Sequence, residues 1–190
     1  MKKWWIPALV LLLGLGGCAR DAGEPVPEET PQVEQVISAG EDAVIWEHAP
    51  ELTVSDGAKS VPALKCTTSW DYERPDGSRM AVEACGSGPL QAKKYMEPLV
   101  TDSGLAWLEF ELAPDTVTVK CWDAKYFGSY DHEAEAEHVK VEILAADFVD
   151  GTSTLTYSIP LKEGSWVYQV TAKWNRGKYG GTVYFGFYTE

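Results

Sequence analysis

The residue types able to do chemistry are concentrated in one run, Asp131-His132-Glu133-Ala134-Glu135-Ala136-Glu137-His138. Imidazole and carboxylate are the ligands zinc and calcium take. In a strand, His132 and His138 share one face and Glu133, Glu135 and Glu137 the other. In a helix, Glu133 pairs with Glu137 and Asp131 with Glu135. Neither geometry gathers three or four ligands from within the run, and the spacing is not the His-Glu-x-x-His of zinc peptidases. A solvated acidic loop is expected, with His132 and His138 as weak metal candidates and no cofactor. Nucleophilic catalysis has less to stand on. The chain has no Gly-x-Ser-x-Gly elbow and no Ser-x-x-Lys. Of its three histidines, His48 precedes the main body of the sequence. No catalytic residue is expected, and the chain reads as a non-enzyme.

The N-terminus carries the sharpest motif. Met1-Lys2-Lys3 is a positive start, and Trp4 to Leu15 is an apolar run of about twelve residues, against about twenty needed to span a bilayer. Small residues follow, which is the pattern of a secretory signal over residues 1–17. Leu15-Gly16-Gly17-Cys18 resembles a bacterial lipobox. The resemblance implies cleavage before Cys18 and a diacylglycerol on its thiol. Each buried methylene of such an anchor contributes about 0.8 kcal/mol. The expected location is the extracellular face of the bacterial cell membrane.

Composition limits the partners. The chain has 16 Lys and Arg against 29 Asp and Glu, net −13. Removing residues 1–17 takes Lys2 and Lys3 and no acid, leaving 14 against 29, or −15. Such a surface repels phosphate backbones and anionic headgroups. Nucleic acid is therefore not an expected partner, and membrane contact is expected only through the anchor.

Outside the cytoplasm disulfides persist. Cys66 and Cys85 flank the hairpin turn expected over Arg74 to Ser78. A bridge between them is expected to stabilise the domain by roughly 3 kcal/mol. Cys121, sharing a face with Val117 and Val119, reads as a buried thiol.

Trp, Tyr and Phe number 8, 9 and 5, a composition typical of β-sheet. Several rings fall in loops or opposite apolar faces. Trp122, Tyr126, Phe127 and Tyr130 form the best candidate binding loop. A flat row of exposed rings there would favour glycan. A broad apolar patch would favour protein, and a concavity with convergent carboxylates would favour an enzyme.

These residues must be positioned by strands. Residues 18–50 are rich in Pro and Glu near their start, which reads as a flexible linker. Some 24 of them reach roughly 25–30 Å. Ala43 to Trp46 is an apolar patch of undecided form. From residue 51 period-two segments recur: Leu52 to Val54 as an edge strand, Ala63 to Tyr72, Arg79 to Ala84, Leu105 to Leu112, Thr116 to Trp122, Val139 to Ile143, Thr152 to Ile159, Trp166 to Trp174 and Thr182 to Tyr188. Turn signals separate them, including Asp150-Gly151. An all-β antiparallel sandwich of about 7–9 strands over 51–190 follows. Trp166, Tyr168 and Trp174 are expected in its core, Leu155, Tyr157 and Ile159 are expected to point inward, and Val139, Val141 and Ile143 alternate with Lys140 and Glu142.

Ile159 to Val170 is similar to the E–F corner and F strand of immunoglobulin-like domains. Asp115 to Trp122, Tyr168 to Trp174 and Tyr179 to Phe185 together resemble small extracellular domains of Firmicutes. These occur as lipoproteins and, in some chains, behind a BlaR/MecR-type sensor peptidase. The resemblance implies an extracellular sensing or binding domain with no active residues to carry over. The expected function is a protein-binding or sensing module on a lipid anchor; the alternative is recognition of glycan or cell wall through aromatics.

Overall fold

A computed structural model describes residues 46–130, 132–149 and 152–190. Cys18, the signal segment and the linker up to residue 45 lie outside the described residues, as do Asp131 and the Asp150-Gly151 turn. Twelve strands appear among the described residues: β1 (Leu52–Ser55), β2 (Ser60–Pro62), β3 (Leu64–Glu73), β4 (Arg79–Ala84), β5 (Pro98–Leu99), β6 (Leu105–Phe110), β7 (Thr116–Asp123), β8 (Glu137–Val139), β9 (Glu142–Val149), β10 (Thr152–Pro160), β11 (Trp166–Asn175) and β12 (Tyr179–Thr189).

They form two sheets, ordered β2-β1-β6-β10-β9 and β4-β3-β12-β11-β7-β8, with β5 pairing parallel to β12. The run β1-β6-β10-β9 is the A-B-E-D order of an immunoglobulin sandwich, and β12-β11-β7-β8 is its G-F-C-C′ order. All four additions, β2 to β5, fall between the first and second of those strands. They raise the expected seven to nine strands to twelve. They also place β1 inside its sheet, so the edge expected at Leu52 to Val54 belongs to β2.

Strand alternation builds the core. β11 sends Tyr168, Val170, Ala172 and Trp174 inward, and β12 sends Val183, Phe185 and Phe187. The opposing sheet supplies Leu52, Val54, Ala106, Leu108, Phe110, Tyr157 and Ile159. Phe110 meets Tyr157, Trp174 and Phe185 with centroids 5.6, 6.1 and 6.1 Å apart, all edge to face, the arrangement aromatic quadrupoles prefer. Trp166, expected inside, is only half-buried at the end of its strand.

Among the described residues no buried side-chain nitrogen or oxygen lacks a partner. Trp174 Nε1 donates to Leu112 O at 3.1 Å, and the Tyr157 hydroxyl donates to Pro114 O at 2.9 Å. The Tyr168 hydroxyl accepts from the Lys162 N–H at 2.8 Å. That bond spans the corner where the chain leaves β10 and enters β11 in the other sheet. It is the tyrosine-corner contact of such sandwiches. Burial pushes both phenols up to about 12, so they stay neutral.

The sandwich begins before residue 51. Ala49 and Pro50 are buried, and Trp46 packs against the core. Its carbonyl accepts Trp70 Nε1 at 2.9 Å. Lys65 Nζ holds Ala49 O at 2.5 Å and Glu51 at 2.6 Å. The end of the expected linker is thus part of the domain.

Candidate functional site

The predicted binding loop follows β7, which lies between β11 and the edge strand β8 in the seven-stranded sheet. Its aromatics do not form an exposed row. Trp122 is 3% exposed and sits with Val167, Tyr188, Leu90 and Met96 in a second apolar cluster, on the outer face of that sheet. Two 3-10 turns in the chain between β4 and β5, Pro89–Gln91 and Lys93–Tyr95, cover this face. Gly186 makes the cover possible: a Cβ there would stand 2.8 Å from Pro89 Cβ and 3.2 Å from Met96 Sδ. Phe127 meets Tyr188 at a right angle, 5.3 Å between centroids, with Lys93 Nζ 4.8 Å above its ring. Tyr126 lies 4.6 Å from the His132 ring. Only Tyr130, 82% exposed, is open to solvent. The loop packs over the end of β7, where Cys121 and Trp122 on its two faces are both buried.

The two histidines are separated by function in the fold. His132 precedes a 3-10 turn at Glu133–Glu135. Its carbonyl accepts Trp122 Nε1 at 2.8 Å, and its Nδ1 lies 3.4 Å from Glu135. His138 is exposed on β8, paired in register with Lys120. Glu133 and Glu137 are taken by Lys120 and Lys162, each at 2.5 Å. Among the described residues no three of His, Cys, Asp and Glu converge on a metal position.

Cys66 and Cys85 are free thiols, which corrects the expected bridge. The pairing of β12 with β3 slips between Val183 and Phe185. That bulge sets Cys66 beneath the cover, its Sγ 3.3 Å from the Cβ position of Gly186. Cys85 follows the last residue of β4 and is exposed. One sulfur is sealed under Pro89 and Met96 while the other faces solvent. Burial pushes the Cys66 thiol up to about 11. Burial, then the nearby Glu137 charge, does the same for Cys121. Maleimide added to the native protein at neutral pH is therefore expected to modify Cys85 in minutes, and Cys66 and Cys121 only on unfolding. Peptide mapping checks this; a recovered Cys66–Cys85 disulfide would contradict it.

Two depressions mark the surface. One, of about 150 Å³, is lined by Gln91, Lys120, Trp122, His132, Glu133 and Gln169, among others. At about 30 Å³ per water it holds about five waters, well below the several hundred Å³ of an ordinary small-molecule site. The other is a wide trough of about 560 Å³ over the outer face of β1, β6 and β10, with Glu51, Glu109 and Glu111 along it. Glu51 is held by Lys65, and Glu111 accepts the Glu51 N–H at 3.1 Å. Two of the three carboxylates therefore fasten Glu51 in place.

The largest departure from the expected pattern is on β9. Val139 to Ile143, which alternates in sequence as one strand, is divided between two. The chain ends β8 at Val139, crosses between sheets at Lys140-Val141 and starts β9 at Glu142. Val139 and Val141 pack against the core, but Ile143 is 65% exposed and Leu144 53%. The register jumps here: Thr156 pairs with Ala145 and Tyr157 with Ile143, leaving Leu144 as the extra residue of a bulge. β9 is also the last strand of its sheet. Two consecutive large apolar residues thus lie exposed on what is, among the described residues, the edge strand of this sheet. Ile and Leu give no chemistry, only contact area.

Comparison with protein-family models, with curated proteins and with solved structures returns no match.

Proposed function

We propose that this chain is a lipid-anchored extracellular protein whose immunoglobulin-type sandwich binds another protein. The observation that carries the binding reading is the apolar pair Ile143 and Leu144 on the open edge of β9. Each has the area to contribute about 1.5–3 kcal/mol once fully covered. The glycan alternative needs a platform of exposed rings, and Trp122, Tyr126 and Phe127 are spent on packing. The anchor rests on Leu15-Gly16-Gly17-Cys18. The strand order supports a module of recognition type, since sandwiches of this kind present edges and loops on a rigid frame.

A photo-crosslinking residue placed at Leu144 in the full-length protein on cells tests the binding reading. Discrete covalent adducts to protein are expected from Leu144, and few from Tyr130. Adducts from neither position, with binding on a glycan array, would replace it by the glycan reading. Cys18→Ser tests the anchor. The variant is expected to lose nearly all membrane association, because the acyl chains supply it; a variant that stays bound refutes lipidation at Cys18.

A further inference from the structure

We infer that the open edge of β9 takes up an extended, basic segment of a partner polypeptide as one more strand of the five-stranded sheet. This rests on the protein-binding reading above and gives it a mode and a partner chemistry.

Among the described residues, five strands have a single partner: β2, β9, β4, β8 and the two-residue β5. β2 and β8 have three residues each, and β2 ends in Pro62. β4 has six residues and opens with Arg79, bound to Asp71. Short length, proline and basic side chains are the ordinary guards of a sheet edge. β9 has eight residues, Glu142 to Val149, and contains no Pro, Lys or Arg. Among the described residues it pairs with β10 alone, and no other described strand takes the backbone N–H and C=O groups on its other side. The bulge at Leu144 bends its start and turns Leu144 out beside Ile143. It leaves Ala145 to Val149 as an uninterrupted pairing run. Backbone bonds along such a run give affinity, and flanking side chains give specificity.

Charge selects the occupant. Between residues 131 and 150 the sequence has seven acids, Asp131, Glu133, Glu135, Glu137, Glu142, Asp147 and Asp150, against the one lysine, Lys140. Lys120 and Lys162, which reach Glu133 and Glu137 from neighbouring strands, still leave the acids ahead. The outer face of the same sheet adds Glu51, Glu109 and Glu111. A second copy of this chain brings the same acids and a formal charge of −13. A second β9 strand laid alongside would add its own Glu142 and Asp147 to the same acidic edge, and like charges brought close destabilise a strand pair. An extended segment with alternating basic and apolar residues meets both features at once: its cations face the acids, and its apolar side chains cover Ile143 and Leu144.

The probe is a synthetic ten-residue peptide of alternating Lys and Val. A second peptide of equal charge with two central prolines serves as comparison. Each is titrated against the full-length protein in detergent micelles, with amide hydrogen exchange followed residue by residue. The Lys/Val peptide is expected to slow exchange along Glu142 to Val149 by about tenfold or more and to bind more weakly as salt rises. Leu144→Lys, a guard residue at an exposed position, is expected to weaken binding by about tenfold. Equal binding by the proline peptide would reduce the effect to charge attraction and overturn the proposal. So would protection elsewhere than β9, or protection of β9 by self-association without peptide. If Leu144 crosslinks to proteins on cells while the peptide protects nothing, strand addition fails and the protein-binding reading stands. If no adducts form, that reading itself fails.

Discussion

Gly181→Ala is expected to destabilise the domain by about 3 kcal/mol or more. Gly181 sits on β12 directly opposite Trp70 of β3. Its φ is +148°, where a side chain is strained. A Cβ there would stand 2.0 Å from Ser69 O and 2.9 Å from Ser69 C and Trp70 Cα. All three are backbone atoms held in a ladder, so no rotamer change relieves the clash. The strands must part, and β3 joins β4 to the sheet only through β12. Gly77 supplies the control. It too has positive φ, +81°, but nothing lies within 4 Å of its Cβ position. Gly77→Ala is expected to cost about 1–2 kcal/mol, the conformational penalty alone. Urea unfolding of both variants measures the difference. Equal losses would mean that the β3–β12 contact is looser than described.

Period-two alternation located β11 and β12, because their inward residues recur without interruption from Tyr168 to Trp174 and from Val183 to Phe187. The same rule says nothing of a second cover or of a break in register. Trp122 reads as outward from its neighbours Cys121 and Val119, and it does point outward. Its cover comes from Pro89 to Tyr95, about thirty residues earlier, and nothing in the local pattern announces that. The bulge opposite Val183 and Phe185 reverses the side on which Cys66 lies, so a hairpin that looks fit for a disulfide holds one sealed and one open thiol. Val139, Val141 and Ile143 alternate as if in one strand. Only tertiary pairing moves Ile143 to another sheet and onto its edge. β2, β5 and β8, at two or three residues, are too short to carry any period. The candidate edge was therefore invisible in sequence for a physical reason: openness belongs to strand order, and strand order is set by contacts between distant residues.

The second large effect is expected at Trp70. This indole is 1% exposed, meets Trp174 edge to face at 5.5 Å and stacks on Tyr179 at 6.1 Å. Trp70→Ala removes that packing and leaves a cavity between the sheets, for an expected loss of about 3–5 kcal/mol. On a domain of this size that lowers the melting midpoint by roughly 10 °C. The substitution has a second consequence, because Trp70 Nε1 also holds the Trp46 carbonyl. Trp70→Phe separates the two. It keeps most of the apolar contact and deletes the one donor, so its stability loss is expected to be smaller, about 1–3 kcal/mol. Amide exchange over Glu47 to Glu51 is nonetheless expected to rise toward that of an exposed loop. Lys65, through Ala49 O and Glu51, would then be the remaining clasp. If exchange there is unchanged in Trp70→Phe, Lys65 and the burial of Ala49 and Pro50 fix this segment without the indole. If it rises, the ring that closes the core also fixes the point at which the proposed tether joins the folded domain. The free length of the tether would then be set by a core residue.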